Sequence, residues 1–117
     1  MNRKLYNVSQ DKLIASNVDV ADTFISRIKG LLGKHSLPEN SALWIKDCPS
    51  VHTFFMKFSI DVIFLDKKMR VTNVVQNLKP WRCTRFFQYK NKSCIELTSS
   101  RKISDLVSQG DLLDVRT

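Results

Sequence analysis

The densest run of apolar residues in the chain lies between Cys48 and Asp66. Its second half, residues 60–65, is rich in β-branched and aromatic residues and is too short for a typical helix, so it predicts a β-strand. Both faces of this strand are apolar apart from one acid, which is typical of a central strand covered on both sides. Alternation predicts that one face carries Ile60, Val62 and Phe64, and the other Asp61, Ile63 and Leu65.

Other segments with strand character flank this run. They are Lys4–Val8, Leu13–Val20, Ala42–Lys46, Val51–Phe55, Arg70–Leu78, Ser93–Thr98 and Leu112–Val115. The first two are expected to form an outer hairpin, with a kink near Asn17 to Asp19. A turn at residues 67–69 should join the central strand to the segment that begins at Arg70. In that segment we expect Val71 and Val75 on one face and Val74 on the other.

One stretch has helical rather than strand periodicity. From Asp22 to Gly33, apolar residues recur at helical spacing, with a capping residue at the start and a glycine at the end. A shorter helix is predicted at Lys102 to Val107. These elements predict a mainly β (α+β) fold in one domain, residues 1–117. We expect a compact β-sandwich or partly closed barrel of about seven to nine strands with one packed α-helix.

Several separated motifs resemble one known family. They are Arg27-Ile-Lys-Gly30-Leu-Leu-Gly33, the run from Cys48 to Asp66, Leu78-Lys-Pro-Trp-Arg82, Ile95-Glu96-Leu97 and Gly110-Asp111-Leu112. In this order they resemble the domain of unknown function 192 family, a group of small prokaryotic proteins. Two local departures from the family pattern are Ser59, in place of a proline, and residues 98–100, in place of Pro-Ala-Gly. The resemblance implies a jelly-roll-like fold and a site near the Cys48 run, but no chemistry.

Composition and charge restrict the function classes. The chain has 117 residues, and its 43% hydrophobic content is enough for one core. We predict neither a signal peptide nor a membrane span. The odd number of cysteines, without a CxxC pair, argues against a disulfide framework and a zinc site, so we expect a reducing cytoplasm, no metal and no cofactor. A net charge of +8 makes an acidic partner plausible.

The candidate ligand-binding residues are polar and aromatic positions of the family-like motifs, with one methionine. They are Arg27, His52, Thr53, Met56, Asp61, Trp81, Arg82 and Glu96. The structural interpretation is that Asp61 and Glu96 accept hydrogen bonds from backbone donors and from Arg27, since buried polar groups need partners whether or not they function. The functional interpretation is a polar pocket at one end of the sheet.

A second candidate surface is the segment from Lys79 to Lys92, which has five basic residues, four aromatic residues and no acid. Interleaved cations and rings are typical of single-strand nucleic-acid binding. The residues that would contact nucleic acid are Lys79, Trp81, Arg82, Arg85, Phe87 and Tyr89. We expect instead that Trp81 and Phe86 belong to the core, because a small domain has few aromatic side chains to spare.

Three functions are therefore predicted, in descending order. The first is a non-enzymatic binding or accessory domain for a small polar ligand or a protein partner, with its pocket near His52 and Asp61. The second is an enzyme in which His52 acts as acid or base and Asp61 or Glu96 orients it. The third is a nucleic-acid binder that uses the basic aromatic segment, residues 79–92.

Overall fold

The computed structural model describes residues 3–21, 39–47, 58–82, 92–98 and 102–117. These residues contain eight strands, one short 3-10 helix and no α-helix. The strands are β1 (Lys4–Asn7), β2 (Lys12–Ala15), β3 (Asn17–Ala21), β4 (Ser41–Ile45), β5 (Ile60–Leu65), β6 (Val71–Leu78), β7 (Ser93–Thr98) and β8 (Leu113–Arg116). The 3-10 helix spans Ile103–Asp105. The helix predicted at residues 22–33 lies outside the described residues.

The strands form two sheets, which confirms the prediction of a mainly β fold. The large sheet has the order β3-β4-β7-β5-β6, and the small sheet has the order β2-β1-β8. Neither sheet closes on itself within the described residues, so these strands do not form a closed barrel. The pair β3 and β4 is parallel, which distinguishes the large sheet from the antiparallel jelly roll that the family resemblance implies.

The two faces of the large sheet contact two separate hydrophobic cores. The inner core lies between the sheets, because it combines residues of both, such as Leu5 and Leu113 of the small sheet with Ile63 and Ile95 of the large sheet. The outer core lies on the opposite face of the large sheet. It consists of Ala21, Ile45, Ile60, Val62, Phe64, Leu78 and Cys94. Burial on both faces explains why β5 has almost no polar residue.

Strand β5 confirms the prediction made from its pattern. All six of its residues are buried. It lies inside the large sheet, between β7 and β6. Ile60, Val62 and Phe64 contact the outer core, and Ile63 and Leu65 contact the inner core, as alternation requires. In β7, Ile95 and Leu97 likewise contact the inner core and Cys94 contacts the outer core.

The predicted hairpin is confirmed, since β1 and β2 pair antiparallel. The segment 13–20 divides at Ser16, next to the predicted kink, so that β2 belongs to the small sheet and β3 to the large sheet. The prediction for the faces of β6 is wrong. In β6, Val71 and Val74 both contact the inner core, and Val75 contacts the outer core. A β-bulge is the cause, because β6 has one extra residue between its pairings with Phe64 and Leu65, and an extra residue reverses the alternation.

Candidate functional site

Asp61 is the second residue of β5 and is 1% exposed. Its Oδ1 atom accepts a hydrogen bond of 2.7 Å from the backbone N–H of Asn77 in β6. At this point Ile60 pairs with Leu78 and Val62 pairs with Val75, so two residues of β6 lie opposite one residue of β5. The Asp61 carboxylate thus satisfies a backbone donor that the bulge removes from regular pairing. The structural interpretation of Asp61 has direct support.

Asn77 has an unusual backbone conformation for a residue other than glycine. Its φ angle is 56°, in the left-handed region. Asparagine tolerates this region better than most residues because its short polar side chain can bond locally. The bulge, the left-handed Asn77 and the buried Asp61 therefore form one structural unit at the end of β6.

Glu96 is the second buried acid of the large sheet and is fully buried in the middle of β7. It pairs with Val62 of β5 and Leu43 of β4. Asp61 instead pairs with Leu97, one residue further along β7. Because neighbouring residues of a strand point to opposite faces, Asp61 lies on the inner face and Glu96 on the outer face. The structure does not bring these two predicted site residues together in one polar cluster.

Directly after β6 the chain presents an exposed tryptophan between two cations. We call Lys79, Trp81 and Arg82 the Trp81 corner. Trp81 is 56% exposed, so the prediction that it belongs to the core is wrong. Its φ angle of 64° is left-handed, and its carbonyl accepts a hydrogen bond of 3.4 Å from Nη1 of Arg82. Both cations are exposed.

The two described ends of the basic aromatic segment, residues 79–82 and Lys92, lie far apart, so their charges do not form one cluster. Leu78, next to Lys79, pairs with Ile60, whereas Ser93, next to Lys92, pairs with Leu65. Five residue steps along β5 separate these positions by about 17 Å. Lys92 also lies 3.6 Å from the carboxylate of Asp47. The two ends of the segment are therefore at opposite ends of the large sheet.

Several predicted site residues lie outside the described residues. They are Arg27, His52, Thr53 and Met56 of the ligand-binding set, and Arg85, Phe87 and Tyr89 of the nucleic-acid set. Phe86 also lies there. The predicted ion pair from Arg27 to Asp61 or Glu96 stays a prediction, as does the role of His52 as acid or base.

Neither a metal cluster nor a membrane helix is found in the described part of the chain. No group of three metal-ligating side chains comes together among these residues. Cys94 is a buried thiol in the outer core. No helix in these ranges has the length and apolar character needed to cross a bilayer.

A polar network around Asp111 was not predicted from the residues. Oδ2 of Asp111 accepts hydrogen bonds from Nδ2 of Asn7 (2.8 Å), Nε2 of Gln10 (2.7 Å) and the backbone N–H of Ser108 (2.8 Å). Burial raises the pKa of the Asp111 carboxyl. The three hydrogen bonds and the charge of Lys12 lower that pKa by more, so it lies below its usual value.

This network joins segments that are far apart along the chain. Asn7 and Asp111 are 104 residues apart, so no local pattern predicts their contact. Asn7 is fully buried, and its amide also donates to the carbonyl of Leu106. The only signal in the sequence was the resemblance of Gly110-Asp111-Leu112 to a family motif. The network holds the turn after β1 against the turn before β8.

Comparison with known sequences identifies one family of uncharacterised proteins. The model of DUF192, described as "Uncharacterized ACR", matches residues 6–115. A UPF0127 protein of Pyrococcus horikoshii is 42% identical over 81 residues, which is 67% of this chain and 70% of that protein. A UPF0127 protein of Thermococcus sibiricus is 36% identical over 86 residues, and the match covers 67% of this chain and 53% of that protein.

Two solved structures share the fold. A protein of unknown function from Novosphingobium aromaticivorans has a TM-score of 0.72 and 16% identity, with 96% of this chain and 82% of that chain covered. A putative transcription regulator from Sinorhizobium meliloti has a TM-score of 0.72 and 16% identity, with 97% and 91% covered. At this identity the likeness concerns the fold alone. The family match over residues 6–115 shows that the chain belongs to the uncharacterised DUF192 family.

Proposed function

We propose that this protein is a non-enzymatic binding domain whose Trp81 corner contacts an acidic segment of a protein partner. The observation that carries the proposal is the exposure of Trp81, at 56% of its surface. Tryptophan is the largest apolar side chain, and leaving so much of it in water forgoes the stabilisation that burial would give. Contact with a partner would recover that stabilisation.

The backbone at the corner supports the same conclusion. Trp81 has a left-handed φ of 64°, a backbone conformation that costs free energy in residues other than glycine. Backbone strain of this kind occurs preferentially at binding and catalytic sites. The corner also follows directly on the bulge at Asn77, where the buried carboxylate of Asp61 fixes the end of β6. The tryptophan is thus presented from a rigid strand end.

The positive charge around Trp81 favours an acidic partner. Lys79 and Arg82 are both exposed, and no acid occurs between residues 79 and 92. The whole chain carries a net charge of +8, which increases the rate of encounter with an acidic surface. Tryptophan and arginine are also the residue types that contribute most to binding energy in protein interfaces.

A protein partner fits the described geometry better than single-stranded nucleic acid. A strand of nucleic acid needs several cations along one groove to contact successive phosphates. Lys92 lies at the other end of the large sheet and close to Asp47, so it is not part of the same surface as Lys79 and Arg82. A short acidic peptide could bind through the three residues of the Trp81 corner alone.

The enzyme hypothesis has less support from the two acids. Asp61 already accepts a backbone hydrogen bond, and it faces away from Glu96. A histidine acting as acid or base would therefore have at most one of these carboxylates on its own side of the sheet.

The proposal is tested by measuring the affinity of the full chain for a labelled peptide of alternating glutamate and leucine. We expect the Lys79→Ala/Arg82→Ala variant to bind it about tenfold more weakly, because both charged contacts are lost. The matched control is Lys67→Ala/Lys68→Ala, which removes the same charge at the opposite end of the large sheet. We expect this control to bind within about twofold of the unmodified protein, a difference of less than 1 kcal/mol.

Two results would contradict the proposal. Equal losses of peptide affinity in the two double variants would mean that only the net charge attracts the peptide. Tighter binding of a single-stranded oligonucleotide than of the peptide, with a steep dependence on salt, would replace the protein partner with nucleic acid.

A further inference from the structure

We infer that a groove between the two sheets, at the opposite end of the large sheet from the Trp81 corner, binds a small carboxylate with an apolar or aromatic body. The groove has a volume of about 230 Å³. It is smaller than the pockets that hold drug-sized ligands, which restricts the occupant to a small molecule. The inference concerns a separate site and does not depend on the proposed function.

The floor of the groove is apolar. Val20 and Trp44 line it from the large sheet, Val115 from the small sheet and Met69 from the turn between β5 and β6. Trp44, Met69 and Val115 also pack against the inner core, so the floor continues the hydrophobic core to the surface. An apolar or aromatic group placed here would remove this surface from water.

The rim of the groove carries two cations. Arg3 and Lys46 line it together with Thr117, and all three residues are exposed. The acid at the rim, Asp114, is already paired, because Nε of Arg116 lies 2.8 Å from its Oδ2 atom. The Nζ atom of Lys46 lies 5.4 Å from the centre of the Trp44 ring, which places a cation directly beside the apolar floor. This combination suits a ligand with one negative charge next to a ring or alkyl group.

Trp44 provides a further argument for an oxygen-bearing ligand. Its indole Nε1 is buried and has no hydrogen-bond acceptor in the described part of the chain. A buried donor without an acceptor is unfavourable, and most buried tryptophan N–H groups have one. Trp44 lines the groove, so a ligand carboxylate oxygen that displaces the atoms covering this N–H would supply the acceptor.

The walls of the groove are held by backbone hydrogen bonds. The carbonyl of Arg3 accepts from the N–H of Val18 at 2.9 Å, which joins the small sheet to β3. The carbonyl of Met69 accepts from the N–H of Leu113 at 3.0 Å. Because these backbone hydrogen bonds fix the walls, ligand binding has little backbone to order.

The test uses phenylacetate and the full chain with Trp81→Phe, so that Trp44 is the remaining tryptophan. We expect phenylacetate to shift the fluorescence and the indole N–H resonance of Trp44 with a saturable dependence on concentration. The matched probes are 2-phenylethanol, which lacks the charge, and acetate, which lacks the ring. Each should bind at least roughly fivefold more weakly, since each loses one of the two kinds of contact.

Charge variants locate the carboxylate. Lys46→Gln and Arg3→Gln should each weaken phenylacetate binding roughly fivefold, the upper range for an exposed ion pair. Lys67→Gln, an equal change of charge outside the groove, should leave it unchanged. The inference is overturned if 2-phenylethanol binds as tightly as phenylacetate, if Lys67→Gln weakens binding as much as Lys46→Gln, or if the Trp44 signals do not saturate.

Discussion

The backbone N–H of Asn77 donates a hydrogen bond of 2.7 Å to the buried carboxylate of Asp61. This contact explains how an acid is accommodated in an otherwise apolar strand. The β-bulge leaves Asn77 without a regular partner in β5, and the side chain of Asp61 provides one. The same contact fixes the end of β6, from which the Trp81 corner extends.

Removing the carboxylate should destabilise the fold. We expect both Asp61→Ala and Asp61→Leu to lower the free energy of unfolding by about 1–3 kcal/mol, because the backbone N–H of Asn77 would lose its acceptor at a partly buried position. Denaturant unfolding measures this directly. The matched control is Asp19→Ala, an exposed acid on β3, which should change stability by less than about 0.5 kcal/mol. Unfolding midpoints for both Asp61 variants equal to that of the unmodified protein would show that the contact is not needed.

Substitution of Asn77 separates the backbone conformation from the side chain. Asn77→Ala should lose about 1–2 kcal/mol, because alanine keeps the Cβ atom that disfavours the left-handed φ of 56° and lacks the short polar side chain that lets asparagine adopt it. Asn77→Gly should be within about 0.5 kcal/mol of the unmodified protein, since glycine adopts this region freely. Gln76→Ala, at an exposed neighbouring residue without a left-handed φ, is the control. An alanine variant as stable as the glycine variant would contradict this account of the bulge.

The network around Asp111 predicts a pH dependence of stability. The folded-state pKa of Asp111 lies below its usual value of 3.8, so the unfolded state binds a proton more readily. The stability that the ionised carboxylate contributes is complete above the usual value and is lost as the pH falls through the lower, folded-state value. Asp111→Asn removes this titration. The difference in unfolding free energy between pH 6 and pH 3 should be smaller in the variant, and an equal difference in both proteins would contradict the prediction.

The buried Cys94 should be replaceable without loss of the fold. Cys94→Ala leaves a small cavity in the outer core and should cost about 1 kcal/mol. Cys94→Ser buries a hydroxyl in the same place and should cost about 1–3 kcal/mol. Circular dichroism and denaturant unfolding test both. Stoichiometric zinc in the purified protein, lost with a cysteine substitution at Cys94, Cys48 or Cys83, would show instead a metal role that we do not expect.

Much of the large sheet could be predicted from local patterns. Residues 60–65 identified a strand buried on both sides because such a strand has no polar face to interrupt its apolar run. Alternation then assigned its side chains correctly. The same rule failed in β6, because the extra residue of a bulge reverses the faces beyond it. No residue type between Val71 and Val75 indicates where that extra residue lies.

The candidate site was harder to predict because it depends on register and on long-range contacts. Asp61 and Glu96 could be grouped together only as long as their pairing was unknown, and the pairing of Asp61 with Leu97 separates them. Trp81 was assigned to the core on composition. Its exposure follows from its place in a left-handed turn after an edge strand, which its residue type does not reveal.

The most direct test of the central claim is to measure both the stability and the peptide affinity of Trp81→Ala. A side chain that is 56% exposed contributes little to the core, so the unfolding free energy should change by less than about 1 kcal/mol. Affinity for the glutamate-leucine peptide should fall at least roughly tenfold, as expected for a tryptophan at the centre of an interface. An unfolded variant, or a folded one that binds the peptide as well as the unmodified protein, would contradict the account.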